Sequence, residues 1–243
     1  GLDAFNFNTI DRIVNELKPD VIVNTIGIIK QHEKANNPIY ALTVNSIFPH
    51  KLNELCMRSA LRLIHLSTDC VFSGRKGKYT EEDESDATDL YGISKYLGEV
   101  DGDNCLTIRT SIIGRELNTR NGLLEWFLSN DGGDVKGYTN AIFSGFPTIV
   151  LAKILVEILN GFPKLSGVWH VSSEHINKYD LLQLIAIEYG LQINIKPFAD
   201  FSEDRSLDSS RFRNKTGIIP LNWPELIRIM KEDTTPYDNW RLK

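Results

Sequence analysis

A chain of 243 residues that is 42% hydrophobic and 24% charged fits one large α/β domain, or one domain with a small appended lobe, and is neither a disordered nor a collagen-like polymer. Its formal net charge of −5, with Lys and Arg scattered along the chain, offers no basic field for nucleic acid. Three widely spaced cysteines without a C-x-x-C pair, no apolar run near the roughly 18 residues of a membrane span and no basic-then-apolar leader give the expectation of a cytoplasmic protein with reduced, mostly buried thiols and no metal site.

Taken in order, Ile10, Ile13, Val14 and Leu17 recur at helical spacing, and Lys18-Pro19 closes that helix. Asp20-Val-Ile-Val-Asn-Thr-Ile-Gly27 is a β-branched run ending in small and polar residues, the pattern of a buried parallel strand running into a loop. A helical period follows from about Pro38 to Ala60, then a second strand at Leu61–Ser67, a helix from Tyr91 to about Glu99 and a third strand at Cys105–Arg109. This alternation is the signature of a Rossmann-like, doubly wound parallel α/β sheet. After about Gly114 the segments shorten and glycine becomes frequent, at Asp131-Gly132-Gly133 and from Gly137 to Gly145. Helices are expected there at Thr148–Asn160, Lys178–Tyr189 and near Pro224–Lys231, with short strands at Gly167–Val171 and Gln192–Ile195. The division falls between residues 1–114 and a smaller C-terminal lobe over 115–243, some of whose segments return to the main sheet.

A dinucleotide-binding fold normally opens with a strand, a glycine-rich turn and a helix N-terminus that holds the pyrophosphate. No G-x-G-x-x-G or G-x-x-G-x-x-G precedes the first strand here. The expectation is a chain truncated at its N-terminus, whose remaining units are the later part of a longer sheet.

Tyr91-Gly-Ile-Ser-Lys95 places a phenol and an ammonium four residues apart, on one helix face. A lysine near a phenol stabilises phenolate, so the tyrosine can exchange a proton with a carbonyl or carbinol oxygen, and the lysine can also bond a cofactor ribose. Alone, the pair also reads as an ordinary exposed helical pair. Ser67-Thr68-Asp69 ends the second strand, at the sheet edge where ligands of open parallel sheets bind. A Thr68 hydroxyl there can orient a substrate carbonyl. The alternative is a helix N-cap or a turn, and Cys70-Val-Phe-Ser-Gly74 does not read as a helix start.

Together these stretches resemble a known family. Ser67-Thr-Asp-Cys-Val-Phe-Ser-Gly74, Tyr79-Thr-Glu-Glu-Asp83 and Asp89-Leu-Tyr-Gly-Ile-Ser-Lys-Tyr-Leu-Gly-Glu99 are similar to motifs of the dTDP-4-dehydrorhamnose reductases, extended short-chain dehydrogenase/reductases. Lys18-Pro-Asp-Val-Ile-Val-Asn24, the stretch from Asn36-Asn-Pro38 to Asn45, Arg109-Thr-Ser-Ile-Ile-Gly114 and Arg205-Ser-Leu-Asp-Ser-Ser210 extend the resemblance over nearly the whole chain. The resemblance implies reduction of the 4-keto group of a nucleotide-linked deoxysugar by NADPH or NADH, with Thr68, Tyr91 and Lys95 catalytic. It implies a cofactor site at Asn24, Thr25, Ile26, Gly27, Ser67, Tyr91, Lys95 and Thr110. It assigns residues 1–114 to a partial cofactor-binding and catalytic domain and most of 115–243 to substrate. For the substrate, Thr68 and Asp69 face the sugar, and Arg205 and Arg211 suit a diphosphate because a guanidinium matches phosphate in a bidentate way. Arg115 reads either as a further substrate contact or as half of an ion pair. A homodimer is the superfamily-level expectation.

Two departures, Cys70 and Ile112 where the family carries aromatic residues, argue against dTDP-4-dehydrorhamnose itself as the substrate. Asn121-Gly-Leu-Leu-Glu-Trp126 and Gly137-Tyr-Thr-Asn-Ala-Ile-Phe-Ser-Gly145 resemble the version seen in capsule and O-antigen clusters, which implies another 4-keto or related nucleotide sugar. Cys70 also stands where the related dehydratases need a glutamate, which favours simple reduction over water elimination. The alternatives kept open are a non-catalytic, cofactor-binding regulatory subunit and a nucleotide-sugar epimerase. The acidic run Glu81–Glu84 reads as a solvated loop, and His65 and His170 as satisfied core or edge residues.

Overall fold

The computed structural model describes residues 3–117 and 120–240. The chain forms two compact units, one of Gly1–Ser73, Thr80–Thr110 and Lys164–Val171, the other of Gly74–Tyr79, Ser111–Pro163 and Ser172–Lys243.

The first unit opens with helix α1 (Phe7–Leu17), capped by the Asn6 side chain on the Thr9 amide and ended by Lys18 in the left-handed region, whose amide donates to the Val14 carbonyl. Strand β1 (Val21–Asn24) follows. The expected long helix from Pro38 is three joined pieces: α2 (Pro38–Leu42), a π-helical turn (Thr43–Ile47) and α3 (Phe48–Arg58). Apolar periodicity does not reveal the wide turn, which rotates the side chains that follow it. Strand β2 (Arg62–Leu66), a 3-10 turn (Asp69–Val71), helix α4 (Leu90–Leu97) and strand β3 (Cys105–Arg109) complete the alternation. In the second unit come β4 (Ile112–Ile113), α5 (Leu123–Leu128), β5 (Asp134–Phe143), β6 (Phe146–Pro147) and α6 (Thr148–Gly161). Strand β7 (Gly167–His170) returns to the first unit.

The sheet of the first unit has the order β1-β2-β3-β7, every neighbouring pair parallel. It is a Rossmann-like α/β sheet. Ile10 and Val14 of α1 and Phe48, Leu52, Leu55 and Cys56 of α3 form one buried cluster with Leu63 of β2 and Cys105 of β3. Burying those side chains fully is worth about 1.5–3 kcal/mol for each large one, and this fixes the helices on the sheet.

The second unit continues with β8 (Ile176–Asn177), α7 (Lys178–Tyr189), β9 (Asn194–Asp204), α8 (Ser210–Thr216), α9 (Trp223–Lys231) and α10 (Tyr237–Trp240). Its main sheet is β8-β5-β9, with β5 and β9 parallel. The glycine-rich stretch expected to stay short is therefore a ten-residue strand, and the strand expected at Gln192–Ile195 runs eleven residues. Pairing with each other holds both strands extended despite glycine and proline. Gly137 is required by contact: a Cβ there would meet the Tyr179 ring at 2.6 Å. Helices α5 and α8 were not expected, since six and seven residues give too few periods to read.

Candidate active site

Consecutive residues at the end of β2 meet α4 and the segment that follows it. The Leu66 carbonyl accepts a hydrogen bond from Lys95 Nζ at 2.8 Å. Ser67 Oγ donates to Glu99 Oε1 at 2.7 Å. Thr68 lies beside the Tyr91 phenol, close enough to draw its pKa down. Tyr91 and Lys95 are spaced by four on one stripe of α4, and Glu99 lies just past the end of that helix.

Two glycines let α4 come this close. A Cβ on Gly92 would collide with the Cys70 carbonyl, and one on Gly98 with the Asn45 carbonyl. Asp89 caps the helix by accepting from the Gly92 amide at 2.9 Å and also pairs with Lys30, whose ammonium lies 5.7 Å from the Tyr91 ring centroid.

Thr68 is the N-cap of the 3-10 turn: its Oγ1 accepts from the Cys70 amide at 3.1 Å and donates to Asp69 Oδ1 at 3.1 Å. The cap reading of Ser-Thr-Asp, set aside on the sequence, is therefore realised together with the contact to Tyr91. A three-residue turn leaves no apolar period by which a helix start could be seen. The Asp69 amide donates to the Thr110 carbonyl at 3.2 Å, which joins the ends of β2 and β3.

The loop after β1 is held from both sides. Asn24 Oδ1 accepts from the Ile26 amide at 3.1 Å, and Asn24 Nδ2 stands 3.0 Å from His65 Nδ1. Asn45, on the π-helical turn, accepts from the Ile28 amide at 2.8 Å and donates to the Ile28 carbonyl and to Ser94 Oγ. Thr25, Ile26 and Gly27 between these anchors are exposed. A Cβ on Gly27 would lie 3.8 Å from Lys95 Nζ, so this backbone passes beside the ammonium.

The electrostatics are set by burial. The Tyr91 phenol is pushed up from its ordinary value, by burial first and then by Cys70, Asp69 and Asp89, while Thr68 pulls the other way. The expected lowering by Lys95 is not realised, since Lys95 is not among the groups that shift the phenol. The Lys95 amine is turned to the Leu66 carbonyl, and burial brings it down to about 8, with Glu99 opposing. Glu99 is locked by Arg109 through Nε to Oε1 at 2.8 Å and Nη2 to Oε2 at 2.7 Å. His170 Nε2 meets Arg109 Nη1 at 3.2 Å, and the His170 amide donates to Glu81 Oε1 at 2.9 Å, so part of the acidic run is engaged with the sheet rather than solvated.

Among the sites expected from sequence, Asn24, Thr25, Ile26, Gly27, Ser67, Thr68, Asp69, Tyr91, Lys95 and Thr110 all lie in the first unit, at the strand ends and on α4. Ser67 spends its hydroxyl on Glu99. Arg115, Arg205 and Arg211 belong to the second unit. Arg115 Nε is paired with Glu125 Oε1 at 2.6 Å, Arg205 Nη2 with Glu203 Oε1 at 2.9 Å, and Arg211 is exposed on α8. The sequence reading missed Asn45, His65 and the Glu99–Arg109 pair as supports. Asn45 and Glu99 lie within the motifs, but nothing local assigns them partners 49 or 10 residues away. Among the described residues no cluster of His, Cys, Asp or Glu could hold a metal ion, and no helix is long and apolar enough to cross a membrane.

The family model described as the RmlD substrate binding domain matches residues 1–233. A dTDP-4-dehydrorhamnose reductase of Aggregatibacter actinomycetemcomitans is 26% identical, over 93% of this chain and 85% of that protein. The spore coat polysaccharide biosynthesis protein SpsK of Bacillus subtilis is 26% identical, over 87% of this chain and 78% of its own length. Among solved structures, a hypothetical dTDP-4-dehydrorhamnose reductase from Sulfolobus tokodaii superposes with a TM-score of 0.79 at 27% identity, covering 91% of this chain and 84% of that one. The dTDP-4-dehydrorhamnose reductase of Bacillus anthracis, solved in complex with NADP, superposes with a TM-score of 0.83 over 95% of this chain and 86% of its own; at 18% identity it speaks for the fold.

Proposed function

The chain belongs to the RmlD substrate binding domain family, and from that premise we propose that it is an NAD(P)H-dependent reductase of the keto group of a nucleotide-linked deoxysugar, serving cell-surface polysaccharide synthesis. The observation that carries this reading is the seating of Lys95 on Leu66 and of Glu99 on Ser67, with Tyr91 beside Thr68, which gathers a phenol, a hydroxyl and an ammonium at the C-terminal end of a parallel strand.

The residues present fit a nicotinamide nucleotide. Lys95 is a buried amine with one hydrogen bond to a backbone carbonyl, and the side-chain-free backbone of Gly27 passes beside it, which leaves an ammonium able to meet a ribose hydroxyl. Asn24, Thr25, Ile26 and Gly27 would line the nucleotide, with Ser67 and Thr110 at the neighbouring strand ends. The bound nucleotide supplies a hydride to the keto carbon. Tyr91, a phenol at neutral pH whose protonated form burial favours further, donates its proton to the sugar oxygen. Thr68 holds that oxygen and the phenol in one hydrogen-bonded set. Lys95 stabilises the phenolate left behind. The change from keto to hydroxyl is then balanced: hydride to carbon, phenolic proton to oxygen.

Residues 1–114 carry the cofactor and the chemistry in this reading, and 115–243 most of the substrate contacts, with Asp69 near the sugar and Arg115, Arg205 and Arg211 toward the phosphates. The place of action is the cytoplasm, and the assembly a homodimer.

Titration with NADPH and NADH, followed by nicotinamide fluorescence, and then turnover of dTDP-linked 4-keto sugars test the proposal. Binding together with a loss of turnover in Tyr91→Phe is the expected result. Binding without reduction of any keto-sugar nucleotide would place the protein among cofactor-binding, non-catalytic members of the fold.

A further inference from the structure

The contact of Ser67 with Glu99 has no part in the chemistry just described. Glu99 and Arg109 are a bidentate ion pair with both side chains 6% exposed. Arg109 is further boxed in by His170 Nε2 at 3.2 Å and by the Phe72 ring, whose centroid is 5.2 Å from the guanidinium carbon. A buried ion pair is a poor stabilising device, because desolvating two charges offsets most of their attraction and well-packed apolar residues do as well. Its presence at this point of the fold needs another reason.

The reason lies in where the two side chains are anchored. Glu99 follows the end of α4, and its carboxylate takes the Ser67 hydroxyl while Lys95, an ammonium buried to 4% exposure, takes the carbonyl of the adjacent Leu66. A buried cation loses its proton unless a negative charge supports it. The elements packed on α4 bring few other charges. The 3-10 turn carries Asp69 and Cys70, α2 carries Tyr40, and the π-helical turn carries no ionisable side chain. On the far side, β2 brings His65, whose pKa burial holds well below the ordinary imidazole value, and α3 brings His50.

We propose that Glu99 is a positioning residue for Lys95: clamped by Arg109 and Ser67, its carboxylate keeps Lys95 in the ammonium form and holds α4 in register with Leu66–Thr68. The proposal rests on Lys95 being the catalytic lysine of the function proposed above. Burial lowers the Lys95 amine to about 8 and Glu99 acts in the opposite sense, in keeping with the geometry.

The test is an NMR titration of the lysine side chains in the intact protein, with the Lys95 resonance assigned from Lys95→Arg. It is run on the wild type, on Glu99→Gln and on Glu99→Gln/Arg109→Met, and NADPH affinity is measured across the same pH range. In the wild type the amine is expected to titrate at about 8, and in both variants below that value, with the alkaline loss of NADPH affinity moving down in parallel. The double variant leaves no guanidinium buried alone, so it decides the matter if the single variant does not fold. A Lys95 titration unmoved in a folded variant overturns the proposal and leaves Glu99 a structural residue. A wild type that binds no nicotinamide nucleotide overturns instead the functional reading of Lys95, and the titration still shows whether Glu99 holds the charge.

Discussion

Asn24 Nδ2 stands 3.0 Å from His65 Nδ1, across directly paired positions of β1 and β2. Because Asn24 Oδ1 already accepts from the Ile26 amide, the amide nitrogen must face the ring, so His65 Nδ1 is the acceptor and the proton sits on Nε2. That Nε2 is buried without a hydrogen-bond partner. Nitrogen-15 NMR is expected to show the neutral Nε2–H tautomer through mildly acidic pH. The folded protein refuses a proton that the unfolded chain accepts below about 6.5, so His65 removes stability as pH falls through that value, by up to roughly 1.4 kcal/mol per pH step of one. His65→Leu should be destabilised at neutral pH by about 1–3 kcal/mol, since Asn24 loses its partner. Urea unfolding should show that gap narrowing in acid; a constant gap would mean that His65 is charged in the folded state.

Lys95 is a residue kept at a cost to the fold. Its amine gives up its proton at about 8 when folded against 10.5 in the unfolded chain. The unfolded chain therefore binds the extra proton between those values, and stability rises with pH across that window. At neutral pH the penalty is roughly 3 kcal/mol. Lys95→Met is expected to raise the melting temperature while abolishing NADPH binding, as calorimetry and fluorescence titration would show. A lower melting temperature would mean that the Leu66 hydrogen bond outweighs the buried charge.

The Tyr91 hydroxyl is the proton source in the proposed reduction, so Tyr91→Phe should lower kcat about 10²–10⁴-fold with NADPH affinity nearly unchanged. Steady-state kinetics alongside the binding titration separates the two quantities.

Thr68 has two duties, and its variants should separate them. Thr68→Ser keeps the hydroxyl for both the Cys70 amide and the phenol and should retain activity. Thr68→Val loses the cap, which costs about 1 kcal/mol, and should lose kcat as well. Equal kcat in Ser and Val variants would remove Thr68 from the chemistry.

Burial raises the thiols of Cys56 to about 11 and of Cys105 to about 12, while Cys70 is partly exposed beside Tyr91. A thiol reagent should therefore label the native protein at Cys70 first. Mass spectrometry of tryptic peptides would show this, and Cys70→Ser should abolish the rapid phase.

The periodicities of Ile10–Leu17, Val21–Asn24, Arg62–Leu66 and Cys105–Arg109 were legible because each is a local pattern: one face of a helix, or a strand covered on both sides, selects apolar residues at fixed spacing whatever else the chain does. The Tyr91–Lys95 stripe was legible for the same reason. The extents of β5 and β9 were not, since those strands are held extended chiefly by each other, at a separation of about 60 residues (Asp134 opposite Asn194). The π-helical turn was hidden inside a continuous helical period, and the Thr68 cap inside a turn of three residues. The amino-acid order by itself thus determined the α/β class, the strand ends and the identity of the reactive side chains, because these follow from short-range spacing. Only the tertiary structure decided that the phenol is raised rather than lowered, that Lys95 is turned to Leu66, and that Glu99 answers to Arg109 and Ser67. Desolvation and hydrogen-bond partners depend on which segments the fold stacks together, and no local pattern carries that information.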